Sequence, residues 1–203
     1  MKNLISILLF IVSLNSCTKS NDTETIAQDQ LPAITNSGAN TAGCIINSKV
    51  LIPKNGSQAI GGSPLYGLKI GAGINFNAPI IGDDYFYVRI QNLKDAFGDD
   101  IYIHFFDMTQ GLGNYNINKS NGDYFIASPN NNHVILKRNL NSNNIKTYLS
   151  NLNSGKIIIT RFDYFNGIYS GTFNCSLFNI DNPNEIIQIT DGRFDISVST
   201  LNR

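Results

Sequence analysis

The chain has 203 residues with 15 basic (Lys+Arg) and 15 acidic (Asp+Glu) side chains, so its formal net charge is zero. This balance excludes the strongly basic surface that nucleic-acid-binding proteins need. Charged residues make up 15% of the chain, against roughly 25% in typical soluble domains. A hydrophobic content of 42% suffices for one packed core and excludes a disordered chain.

The first residues of the chain predict an export signal. Lys2 precedes an apolar run from Leu4 to Leu14, which is too short to span a bilayer because spanning takes about 20 residues. The Leu14–Cys17 tetrapeptide, Leu-Asn-Ser-Cys, follows and resembles the lipobox of bacterial lipoproteins. This resemblance implies that Cys17 is lipidated and that the chain is cleaved before it. The alternative is an ordinary signal peptide with a coincidental cysteine.

Three segments follow from this interpretation. Residues 1–16 are a cleaved signal peptide, residues 17–30 are the lipidated cysteine and a polar, disordered tether, and residues 31–203 form one domain. A flexible tether of this length reaches about 20 Å. We expect a membrane partner through the lipid anchor and an outer-membrane location, on either the periplasmic face or the cell surface.

From residue 31 onward, short runs rich in Ile, Val, Phe and Tyr alternate in polarity and are separated by Asn, Gly, Asp and Pro. This pattern predicts an all-β domain, either a single antiparallel β-sandwich or a partly closed β-barrel. The segment 145–149 is ambiguous between a strand and a helical turn. The predicted strands are residues 44–52, 66–70, 85–91, 101–107, 114–118, 124–127, 134–138, 156–164, 168–178 and 185–199.

Two dipeptides in the C-terminal part are typical of tight turns. A two-residue type I′ turn at Asn166-Gly167 would place Phe162 opposite Gly171 and Ile158 opposite Cys175,. Asp191-Gly192 favours a second hairpin, and a β-bulge within one longer strand is the alternative.

The Arg-Phe-Asp sequence occurs twice, at residues 161–163 and 193–195. We expect its Phe to point inward and its charged residues to form cross-strand ion pairs on a solvated face. The alternative is a functional patch.

Both ends of the domain carry motifs that resemble a family of small Bacteroidota lipoproteins of unknown function. The first is Gly38-Ala39-Asn40-Thr41-Ala42-Gly43-Cys44, and the second is Ile189-Thr190-Asp191-Gly192-Arg193-Phe194-Asp195. Where the family often has Asn-Gly, this chain has Asn47-Ser48, which weakens the predicted hairpin because Ser accepts positive φ less readily than Gly. The resemblance implies an anchored β-rich domain and no known activity.

Two cysteines remain once Cys17 is lipidated. Cys44 and Cys175 could form a disulfide in an oxidising, exported setting. The alternative is a pair of buried free thiols that behave as small hydrophobic residues.

Catalytic and metal-binding motifs are absent from the sequence. The two histidines, His104 and His133, do not lie at metal-ligand spacing, so we predict no metal site, no cofactor and no enzymatic activity. The acidic segments 83–84, 99–100 and 181–185 could offer oxygen ligands to calcium, but each is also typical of a turn.

An aromatic pattern gives the strongest indication of a binding surface. Alternation in two predicted strands places Tyr85, Tyr87 and Arg89 on one face and Tyr102 and His104 on another. If the strands pair, these five residues form a platform that could stack on sugar rings or dock a protein. The interpretation we favour is that both faces are buried, one by a second sheet and the other by the loops of residues 107–132.

The sequence therefore predicts a non-enzymatic, membrane-anchored envelope lipoprotein that binds a glycan or an envelope protein. A structural accessory lipoprotein without a small ligand is the alternative. A hydrolase that brings two carboxylates together from distant strands is a third hypothesis.

Overall fold

The structure is a computed structural model that describes residues 29–57, 61–72, 85–108 and 110–202. The predicted signal peptide, Cys17, most of the tether and the acidic pair Asp83-Asp84 lie outside the described residues.

The described residues form an all-β fold, as predicted. The sheet is entirely antiparallel, and its order is β2-β1-β10-β9-β8-β7-β5-β4-β3, with β6 paired to β8. It curves into an open half-barrel, which agrees with the predicted sandwich or partly closed barrel. The strands are β1 (Thr41–Ile46), β2 (Lys49–Leu51), β3 (Leu68–Ala72), β4 (Phe86–Gln91), β5 (Asp99–Phe105), β6 (Gly113–Ile117), β7 (His133–Asn141), β8 (Asn144–Asp163), β9 (Ile168–Asn179) and β10 (Ile186–Ser197).

The concave face of the sheet carries the core. Because side chains alternate between the two faces of a strand, each strand sends every second residue inward. Phe86, Val88 and Ile90 of β4 show this pattern, and all three are at most 1% exposed. Rings from distant strands meet there, as in the contact of Phe105 with Phe194 at 6.0 Å between centroids.

Side chains and loops bridge the gap between the two terminal strands, β2 and β3. The Asn202 side-chain amide donates to the Leu68 carbonyl of β3 at 2.9 Å. The backbone N–H of Lys54, just after β2, donates to the Gln91 carbonyl of β4 at 3.0 Å. The half-barrel is therefore partly closed by segments that are not themselves strands.

One local prediction of secondary structure is wrong, and one open alternative is decided. Residues 124–127 were expected to form a strand, but Phe125–Ala127 is a single 3-10 turn, and Phe125 has φ 59°. The ambiguous segment 145–149 belongs to the long strand β8. By contrast, Asn47-Ser48 does form the β1–β2 hairpin, with φ of 44° and 72°.

The β8–β9 hairpin exists, but its register differs from the prediction. Phe162 lies opposite Tyr169, not Gly171, because the turn contains four residues. Asp163 stabilises this longer turn by accepting from the Asn166 backbone N–H at 3.1 Å and from its side-chain amide. A bulge lies between residues 159 and 161, and Ile158 lies opposite Thr172, not Cys175 as predicted, and is 37% exposed.

At Asp191-Gly192 the predicted hairpin is wrong and the alternative bulge is present. β10 continues through both residues and pairs with β9 on either side of the shift. Asp191 adopts φ 51°. Glycine is required at 192, since a Cβ there would lie 2.5 Å from the Phe173 ring. A bulge lets β10 keep partners on both edges, which a hairpin would not.

Candidate functional site

The five residues of the predicted platform do share one face of the sheet. β4 and β5 pair, with Tyr87 opposite His104 and Arg89 opposite Tyr102. Tyr85 stacks on His104 with ring centroids 5.7 Å apart. This is the outer, convex face, because the alternate residues of both strands belong to the core.

Part of this face is covered: Tyr102 and His104 are buried, whereas Tyr85, Tyr87 and Arg89 are partly exposed. The 3-10 turn lies over it: the Phe125 ring contacts Tyr87 at 5.2 Å, and the Tyr124 ring meets Tyr102 edge-on at 4.6 Å. The Tyr102 hydroxyl also accepts the Phe125 backbone N–H at 3.1 Å. Tyr102 is 0% exposed and His104 is 2% exposed, so neither offers a surface to a sugar ring.

His133 joins this cluster, which the sequence pattern did not indicate. It lies opposite His104 in the β5–β7 register, and the two imidazoles stack at 4.4 Å. Burial lowers the pKa of His133 to about 4, although a hydrogen bond with the Asn131 carbonyl opposes the shift. Burial and the neighbouring His133 lower the pKa of His104 to about 3. Both rings are therefore neutral at pH 7.

The histidine pair does not form a metal centre with other ligands in the described parts of the chain. No group of three or more His, Cys, Asp or Glu side chains is found there. The Nε2 atom of His133 is buried without a hydrogen-bond partner. Zinc sites use three or four protein ligands, so the two histidines by themselves are too few.

The acidic pair at the start of β5 forms salt bridges to arginines. Asp100 accepts two hydrogen bonds from Arg89, at 2.8 and 2.6 Å. Asp99 accepts two from Arg138, at 2.7 and 2.9 Å. Bidentate pairs of this kind use the carboxylate oxygens that calcium would need.

Ionic contacts concentrate at one end of the half-barrel, which we call the tether end. Glu185 accepts hydrogen bonds from Lys146 and Tyr148, and the Lys146 contacts are 2.8 Å long. These hydrogen bonds hold the pKa of Glu185 at about 2. Arg138 and Asp99 interact electrostatically with the same Tyr148, so one ionic network lies at this end of the concave face.

The N-terminal segment enters the domain at the tether end. Asp29 forms a salt bridge of 2.7 Å with Lys54, and Lys54 is hydrogen-bonded to Gln91 at the last residue of β4. The first residue of β4, Phe86, lies at the opposite end of the half-barrel, which we call the mouth end.

An apolar cleft of about 490 Å³ opens at the mouth end. Ile70, Ala72, Phe86 and Tyr169 line it, and all four belong to the core or pack against it. Its volume falls within the roughly 300–1,000 Å³ of small-molecule sites, which often occupy barrel mouths. The remaining lining residues are Gly71, Tyr164, Phe165, Gly167 and Val198.

Phe165 stands at the rim of this cleft, at the tip of the β8–β9 turn. It is 94% exposed, which is unusual for a large aromatic side chain. On its other side lies a second cleft of about 450 Å³, whose walls include Thr160, Arg161 and Asp163. Phe165 and Tyr164 line both clefts, so the apolar cleft shares one aromatic wall with a cleft whose lining includes charged side chains.

Sequence reasoning missed this pair of clefts. Their residues come from β3, β4, β8, β9 and the β8–β9 turn, together with Leu112 just before β6 and Val198 just after β10. No local spacing connects these residues. An aromatic-rich turn, Tyr164-Phe165-Asn166-Gly167, was the one signal in the sequence.

Of the two alternatives for Cys44 and Cys175, the structure has the buried free thiols and not the disulfide. Cys44 and Cys175 are both free and buried, and burial raises the pKa of each thiol. Cys44 lies on β1 and Cys175 on β9, and β10 runs between these strands. Two strands that flank a third are about 9–10 Å apart, which is too far for a disulfide without backbone movement.

The two motifs of the family resemblance contact each other. Asp195 accepts from the backbone N–H groups of Ser37, Gly38 and Ala39, and from the hydroxyls of Thr35 and Ser170. Burial alone would raise the pKa of Asp195, but these donors hold it at about 2. The predicted cross-strand ion pair of Asp195 is therefore replaced by contacts to the N-terminal segment.

The arginines of the repeated Arg-Phe-Asp sequence also hold this segment. Arg193 donates to the Pro32 carbonyl at 3.2 Å, and Arg161 donates to the Asn36 carbonyl at 3.1 Å. Arg161 also pairs with Asp163 of its own strand at 2.9 Å. The repeated sequence thus fastens residues 32–39 to the outer face of the sheet.

Comparisons with family models, with curated proteins and with solved structures found no match to this chain. Among the described residues, no helix has the length and apolar character needed to cross a membrane.

Proposed function

We propose that the chain is a lipid-anchored protein of the bacterial outer membrane, and that its β domain is a non-enzymatic binding module. The apolar cleft at the mouth end is the observation that supports this function best. A soluble domain buries large apolar groups where it can, yet here Phe165 stays exposed beside an open cavity. Aromatic side chains in such positions are frequent anchors for ligands and partners.

The position of the mouth agrees with a role in the envelope. The N-terminal segment enters at the tether end, where Asp29 is fixed by Lys54, whereas Phe165 and the cleft lie at the other end of the strands. An anchor at Cys17 would hold the tether end near the membrane. The mouth would then face away from that membrane, toward ligands in the adjoining space.

A glycan ligand is a second candidate, and the second cleft favours it because hydroxyl and charged side chains line it beside an aromatic ring. Phe165 offers an exposed ring face, and Thr160, Arg161 and Asp163 lie in the same cleft. Sugar sites combine a ring that stacks on the pyranose with polar groups that hydrogen-bond its hydroxyls. The originally predicted platform supports a glycan less well, because Tyr102 and His104 are buried.

Site-specific photo-crosslinking tests the proposed function. A benzophenone amino acid replaces Phe165 in the full chain, and intact cells that express this variant are irradiated. We expect a covalent adduct whose mass identifies its class as protein, glycan or small molecule. The matched control carries the same amino acid in place of Leu152, which is 70% exposed on β8. Absence of an adduct at 165, or equal adducts at both positions, contradicts a ligand site at the mouth.

A further inference from the structure

Exposed apolar side chains surround the tether end of the half-barrel. Fourteen large hydrophobic side chains are exposed in the described residues, and six of them lie in or beside the loops of this end. Single exposed hydrophobic residues are common on soluble proteins, but an array of them at one end indicates a contact surface. The six are Leu65, Phe97, Leu140, Ile145, Ile180 and Ile186.

The strand directions bring these residues together although they are distant in sequence. β4, β7 and β9 all run from the mouth end to the tether end, so the connections that follow them lie at the same end. Phe97 lies in the β4–β5 loop and Ile180 in the β9–β10 loop, whereas Leu140 and Ile145 flank the β7–β8 turn. Several separate segments thus each present an apolar side chain at this end.

Ion pairs neutralise charged side chains at the same end. Lys94 and Asp181, which are exposed in two of the loops, have opposite charges. A partner that is recognised by its charge needs a surface of the opposite sign, and these groups together have no net charge. The tether end therefore offers apolar contacts among balanced charges. The ion pairs are Lys49–Asp95, Lys54–Asp29, Arg138–Asp99 and Lys146–Glu185.

The chain that precedes the described residues indicates which partner this surface meets. Residues 1–28 precede Asp29, which Lys54 holds at the tether end at 2.7 Å, and they include the predicted lipidation site Cys17. The stretch from Cys17 to Asp29 has a maximum reach of about 40 Å. A lipid at Cys17 would therefore keep the apolar array within contact range of the membrane.

We propose that the tether end rests on the surface of the lipid bilayer, with Phe97, Ile180 and the neighbouring apolar side chains inserted at the headgroup level. This inference rests on the lipid anchor of the proposed function and adds a second membrane contact to it. A lipid anchor by itself does not fix how a domain faces the bilayer. Apolar side chains that leave water at the bilayer interface do fix it, and they point the mouth away from the membrane.

Fluorescence quenching from within the bilayer tests the inference on the full chain, lipidated and reconstituted in phosphatidylcholine vesicles. A nitrobenzoxadiazole fluorophore is attached to a cysteine in Phe97→Cys or Ile180→Cys, and at the mouth end in Phe165→Cys. Cys44 and Cys175 are buried, so they should not react. Phosphatidylcholine with brominated acyl chains quenches fluorophores that enter the bilayer. We expect blue-shifted emission and quenching at positions 97 and 180, and neither at position 165.

Two further variants separate insertion of the protein from insertion of the fluorophore. With the fluorophore at position 180, Phe97→Asp should lower the quenching about twofold or more, because a charge is costly in the bilayer. Leu152→Asp is the matched control, since Leu152 is 70% exposed on β8, and it should leave the quenching unchanged. Phe97 is 54% exposed, so its substitution should be tolerated, and a thermal melt checks this. If Phe97→Asp does not fold, the comparison of positions 97, 180 and 165 decides.

The outcomes distinguish this inference from the anchor on which it rests. A chain that floats with the vesicles but shows no quenching at positions 97 and 180, or equal quenching at position 165, overturns the membrane contact and keeps the anchor. Blue-shifted emission at 97 and 180 without quenching also overturns it, and indicates that a second copy of the chain covers this end. A chain that does not float with the vesicles shows that the proposed anchor is wrong.

Discussion

At the scale of single residues, buried polar side chains hold the N-terminal segment on the sheet, and Asp195 has a central position among them. Its carboxylate is 2% exposed and accepts five hydrogen bonds. Asp195→Asn removes the charge and turns one acceptor into a donor that faces other donors. We expect a loss of about 2–3 kcal/mol in the free energy of unfolding, measured by urea denaturation. Asp191→Asn is the control, because the Asp191 side chain is 58% exposed. An equal loss in the control would contradict this role.

The stacked histidines make stability depend on pH. In the unfolded chain their pKa is about 6.5, whereas in the fold burial lowers it to about 3 for His104 and about 4 for His133. The unfolded state therefore binds more protons between these values, so the free energy of unfolding falls as the pH drops below about 6.5.

Urea denaturation at pH 7 and at pH 5 measures this loss. His133→Phe should reduce the difference between the two pH values, because one of the two titrating groups is gone. Asp195 and Glu185, with pKa values of about 2, lose their stabilising contacts only at lower pH, as they protonate. Identical pH dependence in the variant and the parent chain would rule out the histidines as its cause.

At the scale of elements, the 3-10 turn acts as a cover for β4 and β5. Phe125 is 43% exposed but contacts Tyr87 and Tyr102. Phe125→Ala should therefore lower the free energy of unfolding by about 2 kcal/mol, roughly half of a fully buried Phe→Ala change. Ile126→Ala, at 92% exposed in the same turn, should change stability little. Thermal or urea unfolding measures both, and similar losses would show that the cover does not depend on the Phe125 ring.

At the scale of the whole molecule, the proposed anchor at Cys17 can be tested by substitution. Cys17→Ser should release the protein from the membrane fraction, whereas Cys44→Ser should leave it there, because Cys44 is a buried core thiol. Fractionation and immunoblotting measure this. Retention of the Cys17→Ser chain would show that lipid at Cys17 is not what anchors it. Protease treatment of intact cells then shows which face of the membrane carries the domain.

The alternation of apolar and polar residues within each strand was enough to predict most strands, because the two faces of a strand differ in burial. Phe86, Val88 and Ile90 point inward as expected, and Tyr85, Tyr87, Arg89, Tyr102 and His104 share a face as expected. The bulge at Asp191-Gly192 and the shifted register of Phe162 could not be predicted with the same certainty. A bulge and a hairpin leave the same alternation, and only the neighbouring strands decide between them.

The sequence by itself determined that the domain is all-β, and it marked the two motifs that meet at Asp195. Only the tertiary structure decided what covers each face and where an opening remains. The cover over Tyr102 comes from Tyr124 and Phe125, some 20 residues away in the chain, and His104 stacks on Tyr85 and on His133. The mouth is assembled from β3 and β4 at one end of the sheet order and from β9 and the β8–β9 turn in its middle. Such sites depend on contacts between residues that are distant in sequence. The pattern of residues within one strand does not predict these contacts.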